Sequence, residues 1–577
     1  MQAQQGGITA FMQLTAIGDE EVAKSMFSVR SGATVNTGSE WHQHFSCFTR
    51  LGSSAAANPV WQVQKGLCHI SKDVKMAKKL SALRRRRFIL VLFVAGIGGS
   101  FQFGFSISSI NPPSEYIKNF INETWIERHE KPLQEYSLML LWSFIVSVYP
   151  VGGLVGAQIA AIITVKYGRK KSLLCNDIVA IMAAIIMGFS KMARSFEMIV
   201  IGRFLHGINT GIGLVAHGLY LGEIAPKEVR GAVCMTRAVF VAFGKLIGLV
   251  VGLRQILGDE NTWHLLLAFC GLPALIQLIT LPWFPESPRY LLLERGDQAL
   301  CIDALRRLWG PGDFTEEVED MNAERAQMQG GSKMYIIQLF RDKTIRYQFF
   351  TAMVISAGMQ LTGINIIYFY ASDVYHQLEI PKDRIPFVGI GSSGIEMLTS
   401  VMCGFIIERV GRKVLLWRGY CFMAVCLLLL IITLSLKEHF SWIPYCSLVI
   451  IFAYILTFGI GPGSISGVLP LEIFTQSNRS IALVTSNSLQ WLSLFGLGLV
   501  FPFVINALGQ FSFFLFVGGC CLASLFTFYV LPETKGKTLL QINEEFNNLR
   551  NAKKGICPIF SKRPVVPKQT EILSTRL

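Results

Sequence analysis

Long apolar blocks, separated by short polar ones, run along most of the chain. They lie at about 88–110, 138–165, 172–190, 198–221, 232–254 and 262–283, and again at about 350–372, 386–408, 413–436, 443–470, 480–505 and 511–531. Each is near the roughly 20 residues that a helix needs to cross a hydrocarbon core. A charged stretch over 286–346 divides the two sets, and helix-like segments fall at Asp297–Trp309 and Phe314–Gln329. The pattern predicts an all-α membrane protein with twelve transmembrane helices in two pseudo-repeated six-helix bundles. The bundles span 84–285 and 347–532, joined by a helical linker over 286–346. Residues 1–83 read as a largely disordered tail and 533–577 as a polar one.

Composition agrees. Of 577 residues, 51% are hydrophobic and 16% charged, against about a quarter charged in soluble chains. A formal charge of +15 raises the question of nucleic acid, and its placement answers it. Basic residues cluster beside apolar blocks, at Arg84–Arg87, Lys166 with Arg169–Lys171, Arg409 with Arg412–Lys413, and Lys535–Lys537. That is the pattern of cytosolic loops facing anionic lipid, and no basic module for nucleic acid accompanies it. The 13 cysteines have no metal or redox spacing, and no cofactor or metal motif is present.

The two halves repeat. Gly168-Arg169-Lys170 returns as Gly411-Arg412-Lys413, Glu223 with Arg230 as Glu472 with Arg479, and Pro285-Glu286-Ser287 as Pro532-Glu533-Thr534. Parallel repeats rocking about a midplane site give alternating access. The loop 111–137 is acidic and holds the sequon Asn122-Glu123-Thr124, which puts it outside and makes Asn122 the expected glycan acceptor. Both termini and the linker are then expected in the cytosol of a multi-pass cell-membrane protein. A second sequon at Asn478 falls on the cytosolic side and is expected to stay unmodified.

These motifs, with Gly222–Gly231, Pro285–Arg289, Gln360–Asn365, Glu408–Lys413 and Gly459–Gly463, run in order from about Arg84 to Lys537. The chain resembles the facilitative hexose transporters of the sugar-porter family, in the major facilitator superfamily, and within it the fructose-and-glucose class. The resemblance implies a major-facilitator fold, a hexose substrate, no enzymatic activity and no cofactor. Arg169, Glu223, Arg230, Glu286, Arg289, Glu408, Arg412, Glu472 and Arg479 sit at expected cytosolic helix ends. There they read as an ion-pair network that ties the halves when that side is closed.

A hexose is neutral and covered in hydroxyls, so its site needs donors, acceptors and an aromatic face enclosed by apolar helices. Span seven offers Gln360, Thr362, Asn365 and Tyr368, which share one sector if Gly363 loosens the helix. Span eleven offers Gln490 and Trp491. The resemblance implies sugar contacts at Gln360, Asn365, Gln490 and Trp491; an amide in an apolar bundle is otherwise interhelical glue. The resemblance further implies that, where glucose-type relatives carry polar or aromatic residues, this chain has Ala238, Met359, Met397 and Gly467, a looser site that favours fructose.

Span five holds Arg237 and Lys245. An intramembrane ammonium is costly unless paired. Lys245 therefore either meets Glu396 as a structural pair or receives a small organic anion such as urate, while Arg237 can reach the cytosolic surface. Proton-coupled relatives place an aspartate where this chain has Ser106, and a hydroxyl does not exchange protons near neutral pH. Uniport follows as the expectation. A non-transporting sugar sensor is the rival reading, and a homo-oligomer stays open.

Overall fold

The computed structural model describes residues 86–555, apart from 227–228, 330–344, 372–373, 376–379, 382, 437–438, 440–441, 475 and 538. All of them belong to the compact unit Met76–Leu577; the other unit, Met1–Lys75, lies outside the described residues.

The first half comprises α1 (Arg86–Gly98), α2 (Ser100–Ser108), α3 (Ser114–His129), α4 (Glu135–Tyr167), α5 (Arg169–Phe189), α6 (Glu197–Ile224), α7 (Arg230–Val251), α8 (Trp263–Ala268) and α9 (Gly271–Thr280). The linker carries α10 (Pro288–Leu293), α11 (Gln298–Trp309) and α12 (Thr315–Gln329). The second half comprises α13 (Arg346–Leu361), α14 (Ile364–Phe369), α15 (Ile385–Val410), α16 (Arg412–Ser435), α17 (Ile443–Ile460), α18 (Pro462–Ile465), α19 (Leu469–Ile473), α20 (Gln476–Leu508), α21 (Phe514–Val530) and α22 (Leu539–Gly555).

Among the described residues, ten stretches are long and apolar enough to cross a membrane. The pair α1 and α2, bent by 40°, makes an eleventh. One of the ten, Ile481–Val530, holds most of α20 and all of α21 on either side of a 3-10 turn at Gly509–Phe513. Fifty residues of straight helix would be about 75 Å long, more than twice the hydrocarbon core, so this stretch is two spans. Large apolar side chains such as Ile162, Phe405 and Leu522 stand more than two-thirds exposed, as lipid-facing residues do.

The loop expected at 111–137 contains a 16-residue helix, α3. Its short apolar face, Ile117 and Ile121, is fully buried, too short a stripe to register as a span.

Glycine sets how closely the first half packs. A Cβ on Gly152 would stand 2.1 Å from the Phe204 carbonyl oxygen, and one on Gly211 2.3 Å from that of Gly153. Backbones of α4 and α6 therefore touch, the close approach that small residues permit in lipid. Between the halves, α4 lies along α20 and α7 along α15, so the junction of the halves is formed by two helix pairs.

Candidate functional site

The site begins with a broken helix. Gly363 takes the left-handed conformation (φ +84°) between α13 and α14, and a Cβ there would strike the Phe516 ring at 2.6 Å. Across this break residues five apart meet. Asn365 Nδ2 donates to Gln360 Oε1 at 2.9 Å, with both side chains buried. Thr362 is drawn away: its hydroxyl donates to the Met359 carbonyl at 2.7 Å.

A cavity of about 840 Å³, counting its open mouth, lies where the halves meet. Asn365 and Gln490 line it, together with Lys245 and Glu396. Gln360 stands behind Asn365 as its partner. Trp491 is a packing residue in this conformation: its ring makes edge contacts with Phe103 (5.3 Å) and Tyr149 (5.6 Å) and covers Gly153. On the side away from the linker all six residues of α14 are buried. Tyr370 there donates to the Gly498 carbonyl at 2.8 Å, joining α14 to α20.

Lys245 on α7 and Glu396 on α15 join the two halves. The ammonium nitrogen lies 2.8 and 3.1 Å from the two carboxylate oxygens. Tyr368 donates to the same carboxylate at 2.7 Å, and its ring lies 4.3 Å from the ammonium. Lys245 is thus compensated twice, by charge and by a π face.

The charge clusters repeat in outline between the halves. Arg169 meets Glu223 at 2.7 Å, and Arg412 meets Glu472 at 2.7 Å. Glu286 accepts from the backbone N–H groups of Arg169 (3.0 Å) and Lys170 (2.9 Å). Glu533 does the same for Arg412 (2.8 Å) and Lys413 (3.1 Å). Carboxylates belong at helix N-termini, where unsatisfied N–H groups and the dipole meet them. Each arginine therefore bonds within its own half. One point at which the halves meet on this face is Gly231, where a Cβ would stand 3.0 Å from Glu408 Oε1 and 3.3 Å from Arg412 Nη2.

Other expected residues are placed as follows. Arg289 of α10 pairs with Glu324 of α12 at 2.8 Å, within the linker. Glu408 supports Arg412 at 2.7 Å. Arg230 begins α7 and lines a small hollow with Glu223 and Arg289. The side chain of Arg479 lies outside the described residues. Asn122 is half-buried and accepts from Leu133 N–H at 3.1 Å. Asp177 is fully buried without a hydrogen bond and away from the cavity. Ser106 accepts from Arg203 at 2.8 Å, and the guanidinium lies 4.6 Å from the Tyr149 ring centre.

The sequence profile described as "Sugar (and other) transporter" matches residues 91–546. The chain belongs to the sugar transporter family. Among sugar transporters, it is 44% identical over 497 residues to the Homo sapiens "Solute carrier family 2, facilitated glucose transporter member 11", covering 85% of this chain and 100% of that one. Member 9 of Homo sapiens is 40% identical over 80% of this chain and 86% of its own. Member 5 of Equus caballus is 39% identical over 80% and 92%. A solved proton:xylose symporter, XylE, bound to 6-bromo-6-deoxy-D-glucose, superposes with a TM-score of 0.67. It covers 79% of this chain and 98% of its own at 23% identity. The fold is that of the major facilitator superfamily, with the site between its halves.

Of the four positions at which the resemblance implies a departure from glucose-type relatives, Ala238, Met359 and Gly467 stand on the cavity wall and Met397 does not. Sequence reading missed Glu533 as a functional group, although its repeat partner Glu286 was in hand. It also missed Arg203, whose signal was a buried-type arginine beside Gly202 in an apolar span.

Proposed function

We propose that the chain moves hexoses, fructose, glucose or both, across a membrane by facilitated diffusion, with the two halves alternating about the central cavity. The observation that carries this reading is the cavity wall itself. It is built from both halves, presents the Asn365 and Gln490 amides, and is widened by Ala238, Met359 and Gly467. Amides that donate and accept suit hydroxyls. Gln360 holds Asn365 in register, Thr362 and Tyr368 hold the break, and Trp491 meets sugar when the halves shift.

Ser106 supports uniport. It offers Arg203 a neutral acceptor where a coupled carrier needs a titrating carboxylate. The charge clusters serve as the gate, each arginine held in its own half, with Arg412 and Glu408 of the second half facing Gly231 of the first. The basic residues gathered on the linker face favour a cytosolic linker and termini in a cell-membrane protein. Asn122 would then receive its glycan before α3 packs. An organic anion at Lys245 is the weaker reading, because Glu396 and Tyr368 already satisfy the ammonium.

Reconstitution in liposomes tests the proposal. Saturable entry of labelled fructose or glucose, unaltered by an inward proton gradient, is the expected result. Gradient-driven accumulation would exclude uniport, and binding without entry would favour a sensor.

A further inference from the structure

Resting on the hexose reading of this cavity, we propose that Arg237 gives it a second substrate class, hydroxylated monocarboxylates of the sugar-acid type. The cavity wall holds three charged residues among the described ones: Lys245, Glu396 and Arg237. Lys245 and Glu396 cancel at 2.8 Å. Arg237 makes no ion pair and no hydrogen bond among the described residues. One positive charge is therefore left on the wall.

Its position is set by two glycines. The Arg237 Nη1 atom lies 3.3 Å from where a Gly467 Cβ would stand and 3.7 Å from that of Gly218. Gly467 carries no side chain, so the guanidinium fills space that a larger residue there would close. It does not run to the linker surface, which the sequence reading allowed. An uncompensated guanidinium in a membrane span marks a functional site. Its planar fork of N–H donors matches a carboxylate in two-point contact.

The rest of the wall defines the remainder of the ligand. Ser356, Ser400, Ser466, Asn487 and Gln490 offer hydroxyl and amide partners, as a polyol requires. A single net charge fits a monoanion. The carboxylate lies against Arg237 and the hydroxyls against these side chains, with no covalent step.

The test uses the full chain, purified and bound to labelled D-glucose, with D-glucuronate, its neutral methyl ester, acetate and chloride as competitors. Glucuronate is expected to displace glucose at least tenfold more effectively than the ester, and acetate and chloride not to displace it. R237Q should erase that tenfold preference, and R237K should restore part of it. Equal competition by glucuronate and its ester would overturn the proposal while leaving the hexose reading intact, and needs no variant to fold. Displacement by chloride or acetate as strong as by glucuronate would overturn the sugar-acid class. If glucose does not bind, direct binding of labelled glucuronate decides: binding that depends on Arg237 sustains the proposal and removes the hexose reading, and its absence overturns both.

Discussion

Lys245 and Glu396 face each other at 2.8 Å across the junction of the two halves, both almost fully buried. One belongs to α7 and the other to α15, so the pair is a contact that any rocking motion must accommodate. Tyr368, from the broken span, completes it.

Removing one partner leaves a buried charge alone. K245M or E396Q alone is expected to destabilise by about 3–5 kcal/mol, and K245M/E396M to come near the wild type. Thermal unfolding of the purified protein in detergent measures this. Additive losses in the double variant would show that the two charges are not coupled.

The duplicated gate is unequal. Arg169 has one acidic partner, Glu223, whereas Arg412 has Glu472 and Glu408. E223Q should therefore cost about 3–5 kcal/mol, and E472Q less than half of that. Parallel unfolding curves for the two variants decide the order.

Gly231 is a contact of the halves on the linker face. A tryptophan there would meet Glu408 and Arg412 and hold that face open. G231W is expected to slow hexose exchange and raise labelling of Cys234, which lines the cavity, by thiol reagents. Mass spectrometry of the labelled cysteine reads the outcome, and unchanged labelling would remove Gly231 from the gate.

Gly168 (φ +97°) and Gly411 (φ +99°) hold backbone that other residues adopt only with strain. A Cβ on either would stand 2.5 Å from the carboxylate of Glu286 or Glu533. G168A and G411A should each lose about 1–3 kcal/mol from backbone strain, by the same unfolding assay, and both should weaken the paired carboxylate cap.

Ser106 already bonds Arg203. S106D places a carboxylate beside that guanidinium and is expected to make hexose uptake vary with pH where the wild type does not. Uptake in liposomes at pH 5.5 and 7.5 compares them. A flat profile in S106D would show that proton coupling needs more than this residue.

The sequence by itself determined the membrane class, the twelve spans, the linker helices and the repeat, because each is a local property. Apolar runs of about 20 residues have one outcome in lipid, and motifs recurring at like offsets report equivalent places. Gly363 was legible as a helix breaker for the same reason. Tertiary structure alone decided which charges meet. The Arg169–Glu223 and Arg412–Glu472 pairs close within halves, since each helix end reaches its own neighbour first. Trp491 turned into the α4 contact because Gly153 leaves a hollow for its ring. Spacing also left two fates open to the span-five cations. Only the packing of α7 against α15 brought Lys245 to its acid, and only the space at Gly467 kept Arg237 in the cavity without one.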